Sequence, residues 1–61
     1  MKRRDLIRHL ERQGCYLDRQ GPNHSIYRNP ANGRCAPLPR HREIKDTTAR
    51  TICDQLGILR P

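Results

Sequence analysis

The sequence predicts an α+β fold in which two helices cover one face of a three-stranded antiparallel sheet. Three observations lead to this prediction. Apolar residues recur at helical spacing near both ends of the chain, they alternate with polar residues in between, and turns rich in Gly, Pro and Asn separate the alternating segments. The element order is therefore α-β-β-β-α, a two-layer sandwich. Residues 1–61 are few enough to form one domain.

The first helix is predicted over residues 3–13, where Leu6, Ile7 and Leu10 share one face. Gly14 follows, and glycine is the residue that most often ends a helix, because it adopts the left-handed conformation without strain. We therefore expect a short amphipathic helix that ends at this glycine.

Three alternating segments predict the strands. Asn32-Gly33 is a strong hairpin signal between the second and third segments. Pro37 confines the third strand to a sheet edge or a strand end, because proline has no N–H to donate. The strands are predicted over residues 15–20, 24–28 and 34–38.

Alternation also assigns side chains to the two faces of the sheet. It puts Tyr16 and Tyr27 on the face opposite Leu17 and Ile26. On that face the two tyrosines would stack on bases, pack against each other, or be covered by a partner protein.

The second helix is predicted over residues 45–56, with Asp46 as its N-cap and Gly57 at its end. Ile58 then stands where a hydrophobic residue commonly packs back onto the last turn. The apolar stripe of this helix consists of Ala49, Ile52, Cys53 and Leu56.

Charge indicates the class of partner. Thirteen Lys and Arg residues against six Asp and Glu give a net charge of +7, and eleven of the thirteen are Arg. The guanidinium group presents a planar fork of donors that matches phosphate and stacks on bases. A small basic domain of this kind is typical of nucleic-acid binding and not of membrane binding.

The cysteines do not predict a disulfide set or a zinc site. Cys15, Cys35 and Cys53 are odd in number and widely spaced, and no C-x-x-C pair is present. Cys53 lies on the apolar stripe, where cysteine acts as a small hydrophobic residue. The sequence also has no signal-peptide pattern and no long apolar run, so with reduced thiols it predicts a cytoplasmic protein. We expect no metal and no other cofactor.

Several stretches resemble a known family. Residues 21–30, Gly-Pro-Asn-His-Ser-Ile-Tyr-Arg-Asn-Pro, resemble the signature of the HicA toxins, also called YcfA-like mRNA interferases. Residues 38–41, Leu-Pro-Arg-His, resemble the Val-Pro-x-His segment of that family, and residues 52–58 resemble its last helix. The usual motif has Gly-Ser before its histidine, whereas Pro22-Asn23 stand there in this chain. The α-β-β-β-α order also resembles the double-stranded-RNA-binding fold.

This resemblance implies the toxin of a type II toxin–antitoxin system. Such a toxin is an endoribonuclease that cleaves mRNA, inhibits translation and is neutralised by a HicB-type antitoxin. The catalytic histidine of the family corresponds to His24. The residue type suits the reaction, since a neutral imidazole takes up a proton near pH ~6.5 and can accept the proton of a ribose 2′-hydroxyl.

Arginines near the histidine motif are the candidates for phosphate binding. We predict RNA contacts from Arg19, Arg28, Arg34, Arg40 and Arg42.

The general acid that protonates the leaving oxygen is not assigned by the sequence. His41 and Tyr27 are candidates beside water, and His41 is as well explained by a hydrogen bond to the backbone of its loop.

Two other functions fit parts of this pattern. A non-catalytic RNA-binding module of the same fold would carry the same basic surface. A small DNA-binding regulator fits less well, because strands separate the two helices and leave no helix-turn-helix pair.

Overall fold

Two helices and three strands follow one another in the order that the sequence predicts. They are seen in a computed structural model that describes all of residues 1–61. The strands form one antiparallel sheet in the order β1-β2-β3. The elements are α1 (Arg3–Arg12), β1 (Tyr16–Gln20), β2 (His24–Arg28), β3 (Cys35–Pro39) and α2 (Asp46–Leu56). Neither helix is long and apolar enough to cross a membrane.

Helix α1 contributes Leu6 and Leu10 to the core, and both are fully buried. Gly14 takes a left-handed conformation with φ of 88°, as predicted for the residue that ends the helix. The Cys15 N–H then donates to the Leu10 carbonyl at 2.9 Å. This is the hydrogen bond of a Schellman motif, and it turns the chain directly into β1.

Helix α2 buries the predicted stripe, and each of its four members is at most 3% exposed. Gly57, with φ of 68°, ends the helix, and the Ile58 N–H donates to the Cys53 carbonyl at 3.0 Å. The predicted N-cap is wrong. Lys45 occupies that position and its side chain has no acceptor with which to cap the helix, while the Asp46 carboxylate accepts from the α-ammonium group of Met1 at 3.2 Å.

The sheet has one covered face and one open face. Tyr27 on β2 pairs directly with Ala36 on β3, and both are buried beneath the helices. Ile26, one residue earlier, is half-buried on the other face. The predicted sharing of a face by Tyr16 and Tyr27 is therefore wrong. The faces of β2 are the inverse of those predicted, because the Tyr27 ring and not Ile26 fills the core at this end of the strand.

A β-bulge in β1 changes which side chains reach the open face. Leu17 pairs with Tyr27 and Arg19 pairs with Ile26, so Asp18 is an extra residue without a partner in β2. Strict alternation would put Leu17 and Arg19 on the same face. The bulge instead turns Arg19 to the open face, which is a known effect of such insertions.

Two asparagines of the β2–β3 turn dock that turn onto the end of α2. The Nδ2 groups of Asn29 and Asn32 donate to the Leu56 carbonyl at 2.8 and 3.0 Å. Asn29 is buried, and its Oδ1 accepts the Ala31 N–H at 3.0 Å. A helix end leaves its last carbonyls without partners, and these side chains satisfy one of them.

Candidate functional site

His24 is the first residue of β2 and lies at one end of the open face. Its imidazole is exposed and forms no hydrogen bond within the chain, so both ring nitrogens are available to a ligand. Its main chain is held firmly: the Gly21 N–H donates to the His24 carbonyl at 2.7 Å, and Pro39 is its partner across β3. The fold therefore presents an accessible imidazole on an anchored backbone.

Two of the predicted phosphate ligands share this face with His24. Arg19 pairs with Ile26, which makes it a diagonal neighbour of His24, and such neighbours are typically ~7–8 Å apart. Arg28 lies four residues along the same strand, ~13 Å away at the usual strand rise. Tyr16, which is 45% exposed, pairs directly with Arg28. The open face thus carries an imidazole, two guanidinium groups and an aromatic ring.

Arg19 is held by its neighbour in the bulge. Its Nη1 donates to Asp18 Oδ2 at 2.8 Å, while the arginine side chain remains 66% exposed. A guanidinium group has five N–H donors, so this contact leaves most of them free for phosphate oxygens. The exposed ion pair orients the side chain more than it stabilises the fold.

Arg40 lies behind the turn that leads into His24. Its Nη1 donates to the Pro22 carbonyl at 3.1 Å, and its Nη2 donates to Gln20 Oε1 at 2.7 Å, to the Gly21 carbonyl and to the His24 carbonyl at 3.3 Å. These contacts occupy donors that the sequence analysis assigned to RNA.

The two remaining predicted ligands lie away from the open face. The Arg34 guanidinium lies beside Gly57 at the end of α2, close enough that a Cβ there would stand 3.0 Å from its Nη1. Arg42 is exposed in the loop after β3, and its carbonyl accepts the Arg3 N–H at 2.8 Å. The five predicted arginines therefore occupy separate places, and only Arg19 and Arg28 accompany His24 on the face.

The two candidates for the general acid differ in accessibility. Tyr27 is only 6% exposed on the covered face, and burial raises the pKa of its hydroxyl. It points away from His24 and is removed from the candidates. His41 is exposed two residues beyond Pro39, the partner of His24. The backbone hydrogen bond that would explain His41 structurally is absent.

A hydrogen-bonded chain of polar side chains beneath His24 was not predicted from the sequence. Ser25 is buried, and its hydroxyl accepts from Arg3 Nη2 at 3.1 Å and donates to Gln20 Oε1 at 2.9 Å. Arg3 Nε also donates to the Pro39 carbonyl at 2.9 Å. The sequence feature that could have indicated these hydrogen bonds is Ser25, a polar residue on the face of β2 that turns toward the core.

The cysteines and the remaining histidine have structural surroundings. Cys15 and Cys53 are buried, and burial raises the pKa of both thiols, whereas Cys35 is exposed on the open face. The Nε2 of His9 lies 2.7 Å from the Leu59 carbonyl. No three His, Cys, Asp or Glu side chains converge in a metal-binding arrangement.

Comparison with known proteins identifies the family. The model of a family described as the HicA toxin of bacterial toxin–antitoxin systems matches residues 3–58. No curated protein and no solved structure matches the chain. The family match includes both helices, all three strands and His24. The chain therefore belongs to the HicA toxin family.

Proposed function

We propose that this toxin is a metal-independent endoribonuclease that cleaves mRNA and thereby inhibits translation, with His24 as its catalytic residue. One observation carries the proposal: in a chain of the HicA family, the exposed imidazole of His24 shares the open sheet face with Arg19 and Arg28. The His24 side chain forms no hydrogen bond within the chain, so no structural task explains this histidine. The mRNA substrate makes the cytoplasm the compartment of action.

The proposed chemistry uses the ribose 2′-hydroxyl as an internal nucleophile. His24 removes the proton from this hydroxyl, and the oxygen attacks the adjacent phosphorus. The P–O5′ bond then breaks, which leaves a 2′,3′-cyclic phosphate on one fragment and a 5′-hydroxyl on the other. The nucleophile belongs to the substrate, so the step needs no metal-activated water.

The arginines of the open face supply positive charge to this step. Guanidinium groups beside a phosphate stabilise the negative charge that develops on its oxygens in the transition state. Arg19 is the nearer of the two to His24, and Arg28 would hold the strand further along β2. The leaving oxygen takes its proton from His41 or from water.

The decisive experiment is RNA cleavage by purified protein in EDTA, with His24→Ala beside the parent chain. We expect the parent to cleave and the variant to lose ~10²–10⁴-fold in rate, the usual contribution of a proton-transfer group. Because His24 is exposed, the melting temperature should change by less than about 4 °C. RNA binding by a parent that does not cleave would instead indicate the non-catalytic module.

A His41→Ala variant in the same assay separates the two proton donors. If His41 protonates the leaving oxygen, its loss lowers the rate without changing the affinity for RNA. If water does so, the variant cleaves at nearly the parental rate. His41 is exposed and forms no hydrogen bond, so the substitution should leave the fold intact.

We also propose that a HicB-type antitoxin covers the open face. A partner with acidic groups would complement a chain with a net charge of +7 and would exclude RNA from His24. Binding only the folded state also stabilises it, so the complex should melt at a higher temperature than the toxin alone. A complex that is inactive while His24 remains reactive toward an imidazole-directed reagent would contradict this mode of inhibition.

A further inference from the structure

The turn between β1 and β2 ends at His24. One side chain from outside the turn, that of Arg40, donates hydrogen bonds to its carbonyl groups. Residues 21 and 24 flank the two-residue loop Pro22-Asn23. The His24 carbonyl accepts the Gly21 N–H, whereas the carbonyls of Gly21 and Pro22 have no backbone partner. All three accept from the guanidinium group of Arg40.

Gln20 joins this cluster to the core. Its Oε1 accepts both from Arg40 Nη2 and from the buried Ser25 hydroxyl, which in turn accepts from Arg3 on α1. The hydrogen bonds therefore run without interruption from helix α1 to the residue that carries the imidazole. Four oxygen atoms, three of them backbone carbonyls, accept from one guanidinium group, and its positive charge strengthens these hydrogen bonds.

Arg40 has a geometric advantage over other cations at this position. Its planar fork donates to four acceptors, whereas a lysine ammonium is a point charge on a flexible stem. Arg40 is exposed, so these hydrogen bonds compete with water and add little to global stability. Their effect is local, on the conformation of the residues next to His24.

From this cluster we infer that Arg40 is a positioning residue, which orients His24 by holding the turn and does not bind RNA phosphate. The inference rests on the proposed function for its catalytic consequence. The turn is also tight at Gly21, where a Cβ would stand 3.0 Å from the His24 carbonyl. The Arg40 hydrogen bonds and this close approach both constrain the backbone next to His24.

The kinetic test compares Arg40→Ala and Arg40→Lys with Arg50→Ala. The last variant also removes one positive charge, but from the exposed surface of α2. A misplaced catalytic group loses ~10²-fold in rate, so we expect Arg40→Ala to lower kcat by about that factor while KM stays within about twofold. Arg40→Lys should be intermediate, and Arg50→Ala should leave kcat unchanged. A raised KM with an unchanged kcat in Arg40→Ala would mean that Arg40 binds phosphate, which overturns the inference.

Hydrogen exchange of the Gly21 amide gives a second readout that does not depend on cleavage. We expect this amide to exchange about tenfold faster in Arg40→Ala than in Arg50→Ala, because the turn opens more often. Unchanged exchange overturns the inference, even if the parent chain cleaves RNA. Absence of cleavage by the parent refutes the proposed function, and the exchange data then still decide whether Arg40 holds the turn. If Arg40→Ala does not fold, Arg40→Lys decides both measurements.

Discussion

His24 and Tyr27 lie three residues apart on β2, and their side chains leave the strand on opposite faces. His24 is exposed on the open face, whereas Tyr27 is 6% exposed among the core residues of the covered face. The two groups therefore cannot act on the same phosphate from this fold.

Tyr27→Phe should leave RNA cleavage within about twofold of the parental rate, because the hydroxyl has no part in the proposed proton transfers. A general acid would lose ~10²–10⁴-fold on the same change. Tyr27→Ala is the contrasting variant: it removes a buried ring and should lower the free energy of unfolding by ~3–5 kcal/mol. Cleavage rates and urea titrations of the two variants make the comparison.

Alkaline pH should destabilise the fold through its buried acids. Burial raises the pKa of the Cys15 and Cys53 thiols and of the Tyr27 hydroxyl. In the unfolded chain thiols lose their protons near pH ~8.5 and tyrosine near ~10, while the folded chain retains them. The folded state then binds more protons, so its stability is fully present below about pH 8 and decreases as the pH rises.

The measurement is the free energy of unfolding in urea between pH 7 and pH 10, under reducing conditions. Cys53→Ala removes one of the buried titrating groups and should make the decrease shallower. An unfolding free energy that stays constant over this range would refute the expectation.

Arg19 and Arg28 should contribute separately and similarly to RNA affinity. Each contact between a cation and phosphate adds about −0.7 to the slope of log affinity against log salt for a single strand. Arg19→Ala and Arg28→Ala should each reduce the magnitude of the slope by about that amount, and Arg50→Ala should not. Binding isotherms at several salt concentrations test this, ideally in the His24→Ala background, where RNA is not consumed. Equal slopes in all variants would place the RNA elsewhere.

Asn29 should matter more for stability than Asn32, although both donate to the same Leu56 carbonyl. Both amides also accept a backbone N–H with their Oδ1, but Asn29 is buried whereas Asn32 is exposed. Removing one partner of buried polar groups costs about 1–3 kcal/mol, so Asn29→Ala should lower the melting temperature by roughly 4–8 °C for each kcal/mol lost. Asn32→Ala is the matched control, and an equal loss in both variants would contradict the role of burial.

Much of this fold follows from local patterns. The apolar stripes of both helices, their glycine ends and the bounds of β2 are set by neighbours in the sequence, and all agree with the structure. The faces of β2 do not follow in this way. In His-Ser-Ile-Tyr-Arg, the pattern does not decide whether Ser25 and Tyr27 or His24, Ile26 and Arg28 face the helices. Ser25 can be buried because residues 3 and 20 supply its hydrogen-bond partners.

The candidate site was predictable in kind and less so in arrangement. His24 could be identified from its motif. Which arginines lie on the open face and which one contacts the turn depends on contacts between residues far apart in the sequence. Arg40 reaches back 18 residues to Pro22, and no local pattern encodes such a contact. The bulge at Asp18 could not be predicted from the alternation of polar and apolar residues either, because a bulge interrupts that alternation.

That bulge lets β1 carry one residue more than the stretch of β2 that it faces. Asp18 is the residue without a partner, so deleting it would restore a regular ladder, with Leu17 still opposite Tyr27 and Arg19 still opposite Ile26. The deletion would, however, remove the carboxylate that Arg19 Nη1 contacts at 2.8 Å. In the evolution of such a chain, loss of residue 18 should therefore be tolerated by the pairing of the strands while it frees the Arg19 side chain.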